Sequence, residues 1–229
     1  MTSTQLCTTI TENELSVSTT EHILSALYAM NIDNAIIELD AKEVPVMDGS
    51  SHDFVESILD VGTINQNGYK KVIKIKKNVE VRDHEKIVRV SPQIEMLVTC
   101  EIGYDSQVIG HQSLSLLIKP EIYKNQISSA RTFGFLEDVS NLRKNGLALG
   151  GSLDNAVVIS DDKVLNEDGL RFNDEFVRHK TLDLIGDLAL SGYHILGSVY
   201  SYHAGHNLNN KLLRAIFSSD QNWEFVDSY

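Results

Sequence analysis

The first clear apolar pattern of the chain begins near Ser18. Ser18 and Glu21 have the S-x-x-E spacing of a capping box, in which each side chain bonds a free backbone amide at the start of a helix. Beyond Glu21, apolar residues recur at helical spacing as far as Met30. The pattern predicts a helix from about Thr19 to Met30.

A β-type run and a second short helix follow. Residues 35–39 are typical of a strand, and residues 43–50 are rich in turn formers. A second helical pattern is marked by Phe54, Val55, Ile58 and Leu59. The polar, turn-prone interval 62–68 then predicts a boundary between a first domain over residues 1–64 and a second over residues 65–229.

Beyond this boundary the apolar residues change to a period of two. The alternation predicts successive antiparallel strands near residues 73–75, 79–81, 87–90, 96–104 and 114–116. Cys100 lies among the apolar positions of one of these strands, so we expect its thiol to be buried and inert.

A different pattern interrupts the second domain. It predicts a helix from Leu136 to Asn145, with Gly146 as its C-cap, followed by a strand over residues 156–159. Together these elements indicate a βαβ-like insertion over about residues 136–165.

Two more helical patterns follow the insertion. They predict helices from about Asn173 to Leu190 and from about Asn207 to Phe217. The fold class is therefore α+β, with helices packed on sheets as a two-layer sandwich and arranged in two units.

The composition excludes several classes of protein. Of the 229 residues, 42% are hydrophobic and only three are proline, which allows a packed core and excludes disorder. The 32 acidic and 20 basic side chains give a net charge of −12, which excludes a general nucleic-acid binder. No apolar run approaches the ~20 residues of a transmembrane helix. Two cysteines and an N-terminus without a signal pattern favour a reducing cytoplasm.

The helix of residues 173–190 carries the clearest candidate chemistry. His179, Asp183 and Asp187 recur at i, i+4 and i+8 and form one polar stripe on an otherwise apolar helix. A buried stripe needs partners. A Zn²⁺ ion is one such partner, since an imidazole and a carboxylate one turn apart can reach a single ion. A hydrogen-bonded pair is the commoner outcome of this spacing, and the spacing alone leaves both open.

Two further groups are candidates for the same site. His22 can reach a metal while the adjacent Glu21 lies beside the metal's water, as a general base requires. The alternative, which the local sequence favours, is that Glu21 only closes the capping box with Ser18. His206 lies near a helix start, where Asp187 is the candidate carboxylate to stabilise its charge. The alternative is a histidine in a surface loop.

Several blocks of sequence, in order, carry a resemblance to a known family. The blocks are STTEHI (18–23), IDNA (32–35), VPVMDGS (44–50), SARTFGF (129–135), GGSLDNA (150–156), LRFNDEFVRHK (170–180), LDLIGD (182–187) and AGHNLNN (204–210). In these the chain resembles, over nearly its whole length, the zinc-dependent UDP-3-O-acyl-N-acetylglucosamine deacetylases of lipid A synthesis. The resemblance implies two related α+β domains and the hydrolysis of the N-acetyl group with release of acetate.

The resemblance also implies a metal site. His22, His179 and Asp183 are expected to bind Zn²⁺ and to leave one coordination position for water and substrate. Glu21 is expected to act as the general base that takes a proton from the zinc-bound water.

Further roles in catalysis follow from the same resemblance. His206 is expected to be the electrostatic partner or general acid for the tetrahedral intermediate and the leaving amine, kept charged by Asp187. Thr132 is expected to donate a hydrogen bond to the developing oxyanion.

The substrate-binding residues implied by the resemblance lie around this centre. Lys180 is expected to face the diphosphate of the substrate. Phe133 and Phe135 are expected to pack around the sugar nucleotide, with core packing as their alternative. The insertion over residues 136–165 resembles one that forms a passage for the acyl chain.

Two departures from the family pattern affect these expectations. Family members usually have more chain before the STTEHI block, so the first domain is expected to be incomplete, with unpaired strand edges. His203 stands where the family usually has a lysine, and a mostly neutral imidazole would weaken a phosphate contact at pH 7.

The resulting hypothesis is a monomeric, cytoplasmic N-deacetylase that requires Zn²⁺. A truncated relative that binds zinc or a sugar nucleotide without turnover is the second hypothesis. A buried polar network without a metal is the third.

Overall fold

The computed structural model describes residue 4 and the ranges 7–144, 150–161 and 163–228. The helices among these residues are α1 (Glu21–Ala29), α2 (His52–Val61), α3 (Pro120–Gln126), α4 (Leu136–Lys144), α5 (Glu175–Ala189) and α6 (His206–Phe217). All five predicted helices are confirmed, with ends within about three residues of those expected. The predicted end of α4 at Asn145 and its C-cap Gly146 lie outside the described residues. The sequence patterns did not predict α3.

The strands are more numerous than predicted, and most of those expected between residues 73 and 116 are longer than their predicted ranges. They are β1 (Ile10–Glu12), β2 (Leu15–Val17), β3 (Lys70–Ile75), β4 (Val79–Asp83), β5 (Lys86–Ser91), β6 (Leu97–Gly103), β7 (His111–Leu117), β8 (Phe133–Phe135), β9 (Val157–Ser160), β10 (Lys163–Val164), β11 (His194–Leu196), β12 (Ser198–Tyr202) and β13 (Trp223–Ser228). Mixed sheets and helices of this kind confirm the predicted combination of α and β structure.

The main sheet has the strand order β4-β5-β12-β6-β7. The expectation of successive antiparallel strands is correct for the pairs β4/β5 and β6/β7 but wrong between them, because β12 lies between β5 and β6 and runs parallel to β6. In addition, β3 belongs to a separate sheet, between β11 and β13. Alternation determines which face of a strand is buried and leaves its neighbours undetermined.

The helices that carry the candidate residues cover this sheet. Helix α5 packs on β6 and β7, α6 packs on β4 and β5, and α1 packs on α5. From β6, the side chains of Val98, Cys100 and Ile102 are buried in the core. As predicted, Cys100 is buried, and burial raises the pKa of its thiol to about 12. The packing of α1 on α5 is what brings two distant parts of the chain to one site.

The strand predicted over residues 35–39 is wrong. This segment has no regular secondary structure, and Ile36 is 91% exposed. A strand is stabilised by ladder hydrogen bonds to a neighbour, and no strand among the described residues pairs with this segment. Its β-type composition is therefore not sufficient to form a strand.

The insertion contains the predicted βαβ arrangement. Strand β8 runs parallel to β9 with α4 between them in the chain, and β10 pairs with β9 in the antiparallel direction. The unit begins at Phe133, slightly before the predicted start at residue 136. The domain division between residues 64 and 65 stays a prediction. None of the helices in the described ranges is long and apolar enough to span a membrane.

Candidate metal centre and active site

Three buried side chains from α1 and α5 converge on one point. His179 and Asp183 lie one turn apart on α5, and His179 Nε2 is 3.4 Å from Asp183 Oδ1. Helix α1 brings His22 Nε2 to 4.0 Å from the same carboxylate oxygen. The three possible ligand atoms lie within 4.8 Å of one another.

These distances bear on the two explanations of the polar stripe. Hydrogen bonds between N–H and O are typically about 2.9–3.0 Å long, so neither imidazole is well placed to bond Asp183 directly. A tetrahedral ion with ligands at about 2.0–2.2 Å separates its ligand atoms by roughly 3.3–3.6 Å. The donor set of two imidazoles and a carboxylate suits such an ion, and the arrangement favours a shared metal over a hydrogen-bonded pair.

Neighbouring groups orient two of the three candidate ligands. The Nδ1 atom of His179 lies 3.0 Å from the carbonyl oxygen of Ala130, which can only accept, so Nδ1 carries the proton and Nε2 is available to a metal. Lys180 Nζ donates to Asp183 Oδ2 at 2.7 Å, which leaves Oδ1 facing the imidazoles. His22 Nδ1 is buried and has no hydrogen-bond partner among the described residues.

The electrostatics keep the three candidate ligands in their deprotonated forms. Burial, reinforced by His179, lowers the pKa of His22 to about 3. Burial also lowers the pKa of His179. For Asp183, burial alone would raise the pKa, but His179 and Lys180 hold it well below its usual range. Neutral imidazoles and an ionised carboxylate are the forms that bind metals.

Glu21 begins α1 and lies beside this centre. Its Oε2 atom accepts a hydrogen bond from the backbone N–H of Thr8 at 3.0 Å, while Oε1 faces His206 Nε2 at 3.8 Å. Burial raises the pKa of Glu21 to about 7, against the opposing effect of His206. The carboxyl group is therefore poised to accept a proton near neutral pH.

The capping-box explanation of Glu21 is wrong. The backbone N–H and hydroxyl of Ser18 both donate to the carbonyl of Lys42, so Ser18 is engaged away from the helix start. The N-cap of α1 is Thr20, which forms no side-chain capping bond. Strand β2, which ends at Val17, pairs with β1, and Ser18 forms a β-bridge with Glu43. Ser18 therefore belongs to extended backbone rather than to the start of α1.

His206 is held by a carboxylate, as predicted. Its Nδ1 atom lies 2.9 Å from Asp187 Oδ2 and 3.1 Å from Oδ1. Burial would lower the pKa of His206, but Asp187, together with Asp183 and Glu21, raises it to about 9. Only 9% of His206 is exposed, so the surface-loop alternative is wrong. At neutral pH this imidazole is protonated and able to donate.

Phe133 begins β8, and Thr132 directly precedes it. Two hydrogen bonds hold the backbone of Thr132. Its N–H donates to the carbonyl of Gly49 at 2.8 Å, and its carbonyl accepts from the N–H of Val157 at 2.7 Å. The ring of Phe133 lies 6.4 Å from that of His179 and 5.5 Å from Lys180 Nζ. Phe133 therefore borders the metal centre.

Tyr104, which the sequence analysis did not identify, connects the remaining candidates. Its ring lies 6.0 Å from Phe133, 6.1 Å from Phe135 and 5.9 Å from His203. Phe133, Phe135 and His203 are thus grouped around the ring of Tyr104. A single tyrosine at the end of a strand carries no local signal for this role.

Other residues that hold the site were also missed. Asn209 Nδ2 donates to Asp187 Oδ2 at 2.8 Å, and Thr8 Oγ1 donates to Asp187 Oδ1 at 2.6 Å. Asn209 lies one helical turn after His206, so helical spacing could have indicated it. Thr8 is far from Asp187 in sequence, and no periodic pattern links them.

The site as a whole is a buried centre of two histidines and an aspartate, flanked by a carboxyl group that can accept a proton and an imidazolium that can donate one. Such a set suits metal-assisted hydrolysis.

Comparison with known proteins also identifies a hydrolase. Residues 1–218 match the sequence profile of the family described as UDP-3-O-acyl N-acetylglycosamine deacetylase. A UDP-3-O-acyl-N-acetylglucosamine deacetylase of Haemophilus influenzae (strain 86-028NP) is 47% identical over 226 residues, which are 97% of this chain and 74% of the relative. Its counterpart in Campylobacter fetus subsp. fetus (strain 82-40) is 49% identical over 223 residues, 97% of this chain and 76% of the relative. The chain belongs to this family of deacetylases.

Proposed function

We propose that this protein hydrolyses the N-acetyl group of UDP-3-O-acyl-N-acetylglucosamine, releases acetate as a step of lipid A synthesis, and requires Zn²⁺ bound by His22, His179 and Asp183. The observation that carries the proposal is the convergence of these three ligand atoms within 4.8 Å, beside Glu21 and His206. The substrate is the one named for the relatives.

The chemistry divides between the metal and the chain. Zinc, when bound, supplies a Lewis acid that lowers the pKa of a water molecule and polarises a carbonyl group. Glu21 accepts a proton from the water that attacks the acetamide carbon. His206 Nε2 donates a proton to the amine nitrogen as the C–N bond breaks, and its charge stabilises the oxyanion before that. The products are acetate and the free amine.

Residues around the centre complete the proposal. Thr132 donates a hydrogen bond to the oxyanion, and Lys180 supplies positive charge for the diphosphate. The Asp183 carboxylate outweighs burial and raises the pKa of Lys180 to about 12, so this charge is present throughout the neutral range. Phe133, Phe135 and His203 contact the sugar nucleotide from the cluster around Tyr104.

The second hypothesis, an idle relative, is not favoured, because every residue proposed for catalysis is present in the sequence and Glu21 lies close to His206. A cytoplasmic location and a monomeric state remain part of the proposal. The free thiols of Cys7 and Cys100 are consistent with a reducing compartment.

The proposal is tested by acetate release and bound zinc on the same samples. Purified protein is stripped of metal, reloaded with Zn²⁺ and assayed with UDP-3-O-acyl-N-acetylglucosamine. We expect one zinc per chain and activity only in the loaded sample, with both lost in His179→Ala. A folded protein that binds no zinc under metal-replete conditions would contradict the proposal.

His84→Asn provides the matched control. His84 lies in the turn between β4 and β5, its side chain is 89% exposed, and asparagine tolerates its positive φ of 54°. We expect wild-type zinc content and acetate release. Equal losses in both variants would show that the effect of His179→Ala is not specific to the site.

A further inference from the structure

Thr8 lies in the segment before β1 and contacts two groups of the site at once. Its backbone N–H donates to Glu21 Oε2 at 3.0 Å, and its hydroxyl donates to Asp187 Oδ1 at 2.6 Å. Thr8 is fully buried, with 0% of its surface exposed, so it cannot bind substrate directly.

The position of Thr8 is itself fixed from α1. The backbone N–H and the hydroxyl of Thr20 both donate to the Thr8 carbonyl, at 3.3 and 3.1 Å. Donors and acceptor of Thr8 are therefore all engaged, and the residue is held in one orientation relative to the start of α1, where Glu21 lies.

The hydroxyl of Thr8 completes the set of donors around Asp187. Oδ1 accepts from Thr8 and Oδ2 accepts from Asn209, while the Nδ1 atom of His206 lies near both oxygens. One fixed donor on each oxygen prevents rotation of the carboxylate group. Rotation would tilt the imidazole of His206, whose Nε2 atom faces Glu21.

We propose that Thr8 is a positioning residue, which sets the orientation of the Glu21 carboxyl group and of the Asp187–His206 pair relative to each other. The inference rests on the proposed function, in which Glu21 accepts and His206 donates a proton. It assigns a catalytic consequence to a segment that lies outside both helices of the metal centre.

The test compares two substitutions of Thr8, one that removes its hydroxyl and one that removes its methyl group. Thr8→Val keeps the shape and removes the hydroxyl, and Thr8→Ser keeps the hydroxyl. In the zinc-loaded protein we expect Thr8→Val to lower kcat by about 10- to 100-fold, the usual effect of losing a group that orients an active-site ligand. We expect KM and zinc content to remain at wild-type values. Thr8→Ser should recover most of the lost kcat.

Thr181→Val is the matched control. Thr181 is also a buried threonine, 1% exposed, and its hydroxyl donates to the backbone carbonyl of Val177 within α5. We expect its kcat to be unchanged. An equal decrease in Thr181→Val and Thr8→Val would assign the effect to general destabilisation and overturn the proposal.

The remaining outcomes are also decisive. Wild-type kcat in Thr8→Val, or loss of zinc in parallel with kcat, would overturn the positioning role. If Thr8→Val does not fold, Thr8→Ala carries the same test, and failure of both to fold while Thr8→Ser folds would assign the hydroxyl to stability alone. Absence of acetate release in the wild-type protein would instead contradict the proposed function, so the two failures are distinguishable.

Discussion

Gly186 lies directly against the backbone of Glu21. A Cβ atom built on Gly186 would fall 2.1 Å from the carbonyl oxygen of Glu21 and 2.9 Å from its Cα atom. The close approach of α5 to α1 at this point requires a residue without a side chain. The same approach brings His22 within reach of His179 and Asp183.

We therefore predict that Gly186→Ala separates the two helices. Glycine to alanine in a helix normally stabilises a protein by up to about 1 kcal/mol. Here the new Cβ meets backbone that cannot move without shifting α1, so we expect destabilisation by roughly 1–3 kcal/mol, together with weaker zinc binding. Thermal unfolding and zinc titration measure the two effects.

Gly134→Ala is the control for this prediction. Apart from its chain neighbours, no described residue has a heavy atom within 4 Å of a Cβ built on Gly134, so the substitution should leave the melting temperature and zinc affinity close to wild type. A Gly186→Ala protein that is more stable than wild type would show that α1 and α5 tolerate a larger separation.

The parts of the site that lie on one helix could be predicted from the sequence. The stripe of His179, Asp183 and Asp187 follows from helical periodicity, because residues four apart share a face. The meeting of this stripe with His22 does not follow from any local pattern: the residues alone make His22 a candidate, and the shared ligand set is implied by the resemblance to a family. The hydroxyl of Thr8 reaches Asp187 through tertiary packing, which no periodicity encodes.

The errors in the fold have a similar cause. The segment of residues 35–39 has the composition of a strand, yet it has no ladder partner among the described residues and forms none. The insertion of β12 between β5 and β6 joins residues far apart in the chain. Periodicity predicts the state of a segment, whereas pairing depends on the rest of the molecule.

A second prediction separates metal binding from proton transfer. Glu21→Gln retains an oxygen that can accept from Thr8 N–H, but it cannot accept the proton of the attacking water. We expect one zinc per chain and a kcat lower by about 10²- to 10⁴-fold. Acetate release and metal analysis on one preparation give both quantities.

Glu43→Gln is the matched control, since Glu43 is exposed and its carboxylate accepts a hydrogen bond from the hydroxyl of Thr19, outside the candidate site. We expect wild-type kcat for this variant. If Glu21→Gln retained wild-type kcat with zinc bound, Glu21 would not be the base.

A third prediction concerns the pH dependence of kcat. Burial would lower the pKa of His206, but the carboxylates of Asp187, Asp183 and Glu21 raise it to about 9. The protonated form is the proton donor, so kcat should decrease as the pH rises through about 9. Asp187→Asn removes the largest effect that raises the pKa of His206, so the decrease in kcat should occur at lower pH in this variant.

The pH profile of kcat for zinc-loaded wild type, Asp187→Asn and the control Asp220→Asn checks this prediction. Asp220 is exposed, and we expect its variant to reproduce the wild-type profile. An alkaline limb at the same pH in wild type and Asp187→Asn would mean that His206 does not supply the proton.

The fourth prediction concerns the buried ion pair between Glu175 and Arg131. Arg131 Nε donates to Glu175 Oε1 at 2.8 Å, and the backbone N–H of Arg171 donates to Oε2 at 2.7 Å. Burial would raise the pKa of Glu175, but Arg131 outweighs it and holds the pKa below its usual range. Because the folded pKa is depressed, the pair stabilises the protein fully above the ordinary carboxyl pKa, and the contribution is lost as the pH falls through the folded value.

Glu175→Gln leaves the Arg131 guanidinium buried without its counter-charge, which costs about 3–5 kcal/mol at neutral pH. The control, Asp174→Asn, breaks the partly exposed pair with Arg178 and should cost no more than about 1 kcal/mol. Urea unfolding at neutral pH and in steps below about pH 4 should show the deficit of Glu175→Gln shrinking, because the unfolded wild-type chain takes up a proton there before the folded carboxylate does. A deficit that stayed constant with pH would mean that the stability comes from the shape of the side chain rather than from its charge.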